Sequence, residues 1–255
     1  MLTHGLSFQA SYTWSHSIDD TSGYETSSAI GYRTLNPYNF GLYRGDSTFD
    51  ARQRLVVNYD YEILHLSRYW NNTFTRLLDG WHIAGITTLQ TGFPILIADT
   101  GYRSLTCDTY AYYGCWDAPN LVSSVNTVNP RTSSFVNQTK NSTATTSRPY
   151  YWFNPNDFAL APIGSMGNTG RNNFHGPGIN NTDLVLSKRV YLGHESRFLE
   201  LRLEGYNVFN HTQFQYVATT IGGSGVNGDI NSSNFGRVTS AIAGRTIQLG
   251  AKIYF

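Results

Sequence analysis

Charge is scarce in this chain of 255 residues: only 14% are Asp, Glu, Lys or Arg, where a soluble globular domain averages about 25%. The net charge is +1, and a protein that neutralises many phosphates needs a basic face, so nucleic acid is excluded as a partner. Long apolar runs are missing too. The longest, Phe93 to Ala98, falls far short of the roughly 20 residues of a membrane helix, which excludes a helical membrane protein. Two cysteines cannot staple a disulfide miniprotein. After Met1 comes Leu2-Thr3-His4 and then strand pattern, without a basic n-region or apolar h-region; the chain is therefore expected to start inside a larger protein. What the sequence does hold is 18 Tyr, 14 Phe, 5 Trp and 24 Gly, and Ser, Thr and Asn outnumber the charged residues roughly two to one. So many large apolar side chains exclude disorder. The balance suits β-structure with long polar loops.

Alternation of apolar and polar residues marks six segments, the period-2 signature of a strand with two unlike faces. Leu6, Phe8, Ala10, Tyr12 and Trp14 interleave with Ser7, Gln9, Ser11, Thr13 and Ser15. Leu55, Val57, Tyr59 and Tyr61 oppose Arg54, Asn58, Asp60 and Glu62. A weaker pattern runs from Trp81 through Ile83, Thr87 and Leu89 to the Gly92-Phe93-Pro94 breaker, and another covers about Thr182 to Leu192, with Leu184 and Leu186 against Asp183 and Ser187. The fifth sets Leu199, Leu201, Leu203 and Phe209 against Glu200, Arg202 and Glu204. The last sets Ile247, Leu249, Ala251, Ile253 and Phe255 against Thr246, Gln248, Gly250, Lys252 and Tyr254.

The connections alternate long, short, long, short, long. Ser17–Asp50, Ala98–Asn181 and Asn210–Gly244 are long, Ile63–Gly80 is shorter and Gly193–Ser196 is a tight turn. In an up-and-down meander all the long ones share one end, as in outer-membrane barrels with short periplasmic turns and long extracellular loops. With the long loops outside, Trp14 and Phe209 fall at the outer rim, and Trp81, Tyr59, Tyr61 and Phe255 at the inner rim. These are two aromatic girdles flanking an aliphatic band. The expected fold is all-β: an antiparallel up-and-down meander, with residues 1–255 forming the C-terminal six strands or so of a large transmembrane β-barrel. The competing reading is a secreted antiparallel β-sandwich, a carbohydrate-binding module, whose strands also alternate.

Five stretches then carry a resemblance: Tyr12-Thr13-Trp14-Ser15-His16-Ser17-Ile18-Asp19-Asp20, Asp50-Ala51-Arg52-Gln53-Arg54-Leu55-Val56-Val57-Asn58-Tyr59, Gly80-Trp81-His82-Ile83-Ala84-Gly85-Ile86 with Gln90-Thr91-Gly92-Phe93-Pro94, Glu204-Gly205-Tyr206-Asn207-Val208-Phe209-Asn210-His211, and Phe235-Gly236. Together they resemble the C-terminal part of TonB-dependent outer-membrane receptors of the Oar-like branch. The resemblance implies about the last quarter of a 22-stranded barrel that imports a scarce nutrient. The implied partners are outer-membrane lipid, the remaining strands and plug, and TonB, which engages a box before the plug. It implies neither catalysis nor a cofactor.

Other features are weighed beside it. Gly223-Ser224-Gly225-Val226-Asn227-Gly228 fits a dinucleotide pattern, but Asp229-Ile230-Asn231-Ser232-Ser233 follows it where a helix N-terminus is required, so it reads as loop. Asp19, Asp20, Asp46 and Asp50 offer calcium-type oxygens without EF-hand spacing, and a solvated loop is the expectation. The histidines show no HExxH pair, and no nucleophile elbow marks a triad. Asn137-Gln138-Thr139 reads as polar loop under a bacterial origin. Cys107 and Cys115 are expected to pair in an oxidising compartment. Beside them, Tyr110, Tyr112, Tyr113 and Trp116, with Tyr150, Tyr151 and Trp152, are candidates to stack on a small-molecule or oligosaccharide ligand. Ile247, Leu249, Ala251, Ile253 and the terminal Phe255 look like the signal read by barrel-assembly machinery.

Overall fold

A computed structural model describes residues 5–20, 22, 40–63, 79–101, 103–105, 117–139, 146–193, 197–214 and 225–255. Cys107, Cys115, Tyr110, Tyr112, Tyr113 and Trp116 lie outside the described residues.

The alternating segments become one sheet of six long strands: β1 (Leu6–Trp14), β2 (Gln53–Glu62), β3 (Trp81–Gln90), β4 (Ile179–Tyr191), β5 (Phe198–Tyr206) and β6 (Thr246–Tyr254). Spatial order equals chain order, and every neighbouring pair is antiparallel. This is the meander expected from the sequence. Register is fixed by the alternation, because a slip of one residue would turn every apolar side chain to the other face. At one end the wall is closed by short connections, where Leu192 N–H donates to Arg197 O at 2.8 Å. The three long connections leave from the other end.

The strand limits differ from the sequence reading at one informative place. The alternation of the fifth segment carries on to Phe209, yet β5 stops at Tyr206. Asn207 adopts a left-handed φ of 51°, which Asn tolerates better than other side chains. Its side chain holds both ends of a turn, accepting from His211 N–H and donating to His211 O, each at 2.9 Å. Phe209 therefore sits on a turn at the long-loop end.

The described residues form no sandwich. Among the described residues, the other sheets are two-stranded pairs within the connections, and no second layer covers the wall. The best-buried residues lie in those connections instead. Ile95, Ile97, Phe153, Phe158, Val226, Ile230, Phe235 and Val238 form the main core. The rings of Phe153, Phe158 and Phe235 meet edge to face, with centroids 5.3–5.4 Å apart, the arrangement favoured by the aromatic quadrupole. Residues from the β3–β4 and β5–β6 connections thus fold into one lobe. Ala98 bridges Asp229, and Tyr151 bridges Arg237. The polar composition of these loops conceals this core, because its members are scattered and non-periodic.

Candidate membrane-spanning surface and outer-rim site

The register joins apolar residues into rows that cross the whole wall. Leu6, Tyr61, Ile83, Leu186, Leu203 and Leu249 form one row, and Phe8, Tyr59, Gly85, Leu184, Gly205 and Ile247 the next. Many of these side chains are bare, with Leu249 79% and Phe8 58% exposed. In water this continuous apolar face is a liability; against hydrocarbon it is the surface a spanning strand needs. Rows on the other face are polar: Glu62, His82, Ser187 and Arg202 share one. Asp60 Oδ2 accepts from His82 Nε2 at 2.9 Å, and Arg202 pairs with Glu204 at 2.8 Å.

Lys188 breaks the segregation, and nothing in the alternation marks it. It shares the apolar face, opposite Trp81 and Leu201. Its position near the short-turn end resolves the conflict. The ammonium lies 4.8 Å from the Trp81 ring centroid and donates to Asp79 O at 3.2 Å, so the stem follows the apolar wall while the charge reaches the rim.

The structure places the expected girdle residues as follows. Trp14, 73% exposed, closes β1 at the long-loop end, where Phe209 also stands. Trp81 opens β3 at the short-turn end, near Tyr61. Tyr59 lies one step further into the wall, its ring across Gly85. Phe255 follows the last paired residue and is fully exposed, whereas Tyr254 is on the polar face, stacked 4.3 Å from Phe198. Ile247, Leu249, Ala251 and Ile253 align on the apolar face of β6.

At the long-loop end, between β1 and β2, the expectation of a solvated aspartate loop is corrected for Asp19, Asp46 and Asp50, while Asp20 is exposed. Asp50 is buried and Asp46 half-buried. Arg52 grips both, with Nη2 2.8 Å from Asp46 Oδ2 and Nε 2.7 Å from Asp50 Oδ2. His16 Nε2 lies 2.9 Å from Asp46 Oδ1, and His175, from the β3–β4 connection, 3.3 Å from Asp46 Oδ2. Burial alone would push the Asp46 carboxyl up. Hydrogen bonds from His16 and Arg52, with the charges of Arg52 and His175, hold it below its ordinary value. The ligating atoms of His16, Asp46 and Asp50 lie within 4.8 Å of one another, close enough for a metal. The guanidinium already bonds both carboxylates, so the group is an ion-pair cluster.

A second clamp sits beside it. Arg171, wholly buried, donates from Nη1 to Asp19 Oδ1 at 2.6 Å and to Asp19 O at 2.8 Å, and from Nη2 to Ser22 Oγ at 2.7 Å. Asn172 donates to Asp46 O at 2.7 Å. Asp19 is likewise held below its ordinary value: burial opposes this, and hydrogen bonds from Ser47, Ser22 and Arg171 prevail. Arg171 and His175 escape a sequence reading because more than 120 residues separate them from Asp46 and no local motif marks the pairing.

Of the candidate ligand aromatics, Tyr151 is enclosed, with no exposed surface; its ring packs edge-on against Phe135. That burial raises its hydroxyl pKa, against the charges of Arg237 and Arg148. It is a core residue of the lobe, with no surface open to solvent. Tyr150 is exposed, in a left-handed conformation at φ 71°. Trp152 donates its indole N–H to His175 O at 2.8 Å, which fixes the ring along a groove of about 470 Å³ shared with Val128, Arg131, Pro177, His211 and Phe214.

Comparison with known proteins agrees with this geometry. Residues 1–248 match the family described as outer membrane beta barrel domain, and the chain belongs to that family. No curated protein and no solved structure matches it.

Proposed function

We propose that this outer-membrane barrel chain is the C-terminal wall and loop lobe of a TonB-dependent, Oar-like receptor that imports a scarce small molecule or oligosaccharide, without chemistry of its own. The observation that carries the reading is the wall itself. It is an open meander with one apolar face, and all three long connections leave from one end. In this reading the apolar face meets lipid, the polar face lines the lumen against a plug, and the lobe is extracellular. TonB would act through a plug-bearing part of the receptor, and barrel-assembly machinery would receive β6. The groove beside Trp152 is then a first contact for the incoming ligand, with a fixed aromatic ring and the Arg131 cation at its border.

The test is uptake by the whole receptor in its own cells. Depletion of trace nutrients from the medium is compared between cells with and without the receptor gene, and with and without TonB. The expected result is one compound whose uptake needs both. Uptake that is unchanged by either deletion would refute the transporter reading and leave a structural barrel.

A further inference from the structure

We propose that the groove beside Trp152 binds an acidic oligosaccharide, a chain of uronate sugars, with one sugar ring stacked on Trp152 and carboxylates met by Arg131 and His211. The inference rests on the reading of this groove as a first contact for ligand and names the ligand's class; it does not require transport. Two connections build the groove. Arg131 and Trp152 come from the one between β3 and β4, and His211 and Phe214 from the one between β5 and β6.

The parts of the groove are fixed before any ligand arrives. Trp152 is held at backbone and ring, its N–H donating to Gly236 O and its indole N–H to His175 O, each at 2.8 Å. His211 is held as firmly, with its backbone N–H and O both bonded to the Asn207 side chain. Gln213, only 4% exposed, sets the orientation of the imidazole's protons. Its Oε1 accepts from Asn180 N–H at 2.9 Å, which assigns the amide nitrogen to the other side. That nitrogen donates to Asn180 O and lies 3.2 Å from His211 Nδ1. An amide nitrogen only donates, so Nδ1 accepts and the neutral ring carries its proton on Nε2. Arg131 follows a turn in which its N–H donates to Asn129 Oδ1 at 3.0 Å. Its side chain is exposed, and among the described residues no carboxylate pairs with it.

These features select the ligand. Arg131 is a permanent cation, His211 Nε2–H is a second donor, and the lining holds no Asp or Glu, so the complement is an anion. A planar guanidinium matches the two oxygens of a carboxylate. The half-buried indole offers a face whose centre is negative, suited to the polarised C–H groups of a sugar ring. Thr127 and Thr212 add hydroxyls to the lining, partners for sugar hydroxyls. The volume of about 470 Å³ falls in the range of about 300–1,000 Å³ for sites that take drug-sized ligands. A single-ring aromatic acid would leave much of it empty.

The test is calorimetric titration of the whole receptor in detergent micelles with trigalacturonate, with neutral maltotriose and with benzoate. The expected result is one trigalacturonate per receptor, bound about tenfold or more tighter than either control, as a charged hydrogen bond supplies. Added salt should weaken it, because the Arg131 charge is exposed. Arg131→Gln, a change on an exposed loop, should remove the preference over maltotriose. His211→Ala should weaken trigalacturonate about threefold, the worth of a neutral hydrogen bond, and Trp152→Leu should weaken both sugars. A wild-type receptor that does not bind trigalacturonate, or binds maltotriose or benzoate as tightly, overturns the inference whatever the variants do. So does a preference that survives undiminished in Arg131→Gln. Uptake separates this inference from the transporter reading. Trigalacturonate that binds but enters by no TonB-dependent route keeps the site and refutes the transporter, whereas TonB-dependent uptake of another compound, with no trigalacturonate bound, does the reverse.

Discussion

The ring of Tyr59 covers Gly85 on the apolar face of the wall, so closely that a Cβ on Gly85 would stand 2.6 Å from Tyr59 Cε2 and equally close to Leu184 Cδ2. The glycine leaves a gap between two strands, and the aromatic ring fills it, a cross-strand device that pins register. Gly85→Val forces the ring out; overpacking of this kind costs about 1–3 kcal/mol. Equilibrium unfolding in micelles should show that loss. Tyr59→Ala in the same chain should recover part of it, and strictly additive effects would deny the contact.

The two faces of the wall should respond oppositely to charge. Leu203, in the middle of an apolar row, becomes a lipid-facing cation in Leu203→Lys, at a cost of about 2–4 kcal/mol near the midplane. Gln248→Lys, on the polar face of the neighbouring strand, should be nearly silent. Folding yield into vesicles, followed by the band shift of unheated barrel, compares them; similar yields would reverse the assignment of faces.

The outer-rim cluster should fail in acid. Asp46 and Asp19 both sit below their ordinary value of 3.8 in the fold. A carboxylate with a depressed folded pKa contributes stability that is fully present above the unfolded value and is lost as pH falls through the folded one. The clamp should therefore hold throughout neutral and mildly acid buffer and loosen only below pH 3.8. Proteolysis of the β1–β2 connection as a function of pH reads this. Arg171→Met, which strands the Asp19 carboxylate, should open the same loop at neutral pH, at a cost of about 3 kcal/mol for a broken buried pair.

At the terminus, Phe255 has no strand partner and is fully exposed, whereas Tyr254 is anchored on Phe198. Deleting Phe255 should lower the amount of receptor recovered in the outer membrane far more than Tyr254→Ala. Equal recovery of the two would leave the terminal aromatic as rim packing without a signalling role.

Cys107 and Cys115 should resist alkylation in exported protein until reductant is added. Mass spectrometry that finds both alkylated beforehand would remove the expected bridge.

The wall was legible in the sequence because its information is periodic. Each strand alternates on its own, from Leu6 onward, and needs no knowledge of its neighbours. Its longest overrun, from Tyr206 to Phe209, came from a conformation: Asn207 turns the chain while the apolar pattern goes on. The lobe was not legible for the opposite reason. Phe153, Phe235 and Ile97 share no period, and their meeting depends on two connections folding together. The same holds for Arg171 with Asp19, and for Asn231 with Asp99. These pairings are properties of tertiary contact, and local composition reported only polar loop.

The lobe also constrains the order of events by which the chain reaches its final state. Its core takes Ile95 and Ile97 from one connection and Val226, Ile230, Phe235 and Val238 from another, and β4 and β5 lie between them in the chain. The core cannot be completed until both connections stand on the same side of the bilayer. In the proposed orientation, with the lobe outside, translocation of the β5–β6 connection precedes completion of the core. In that orientation the lobe is a latch formed after passage, tying two loops that reach the surface separately.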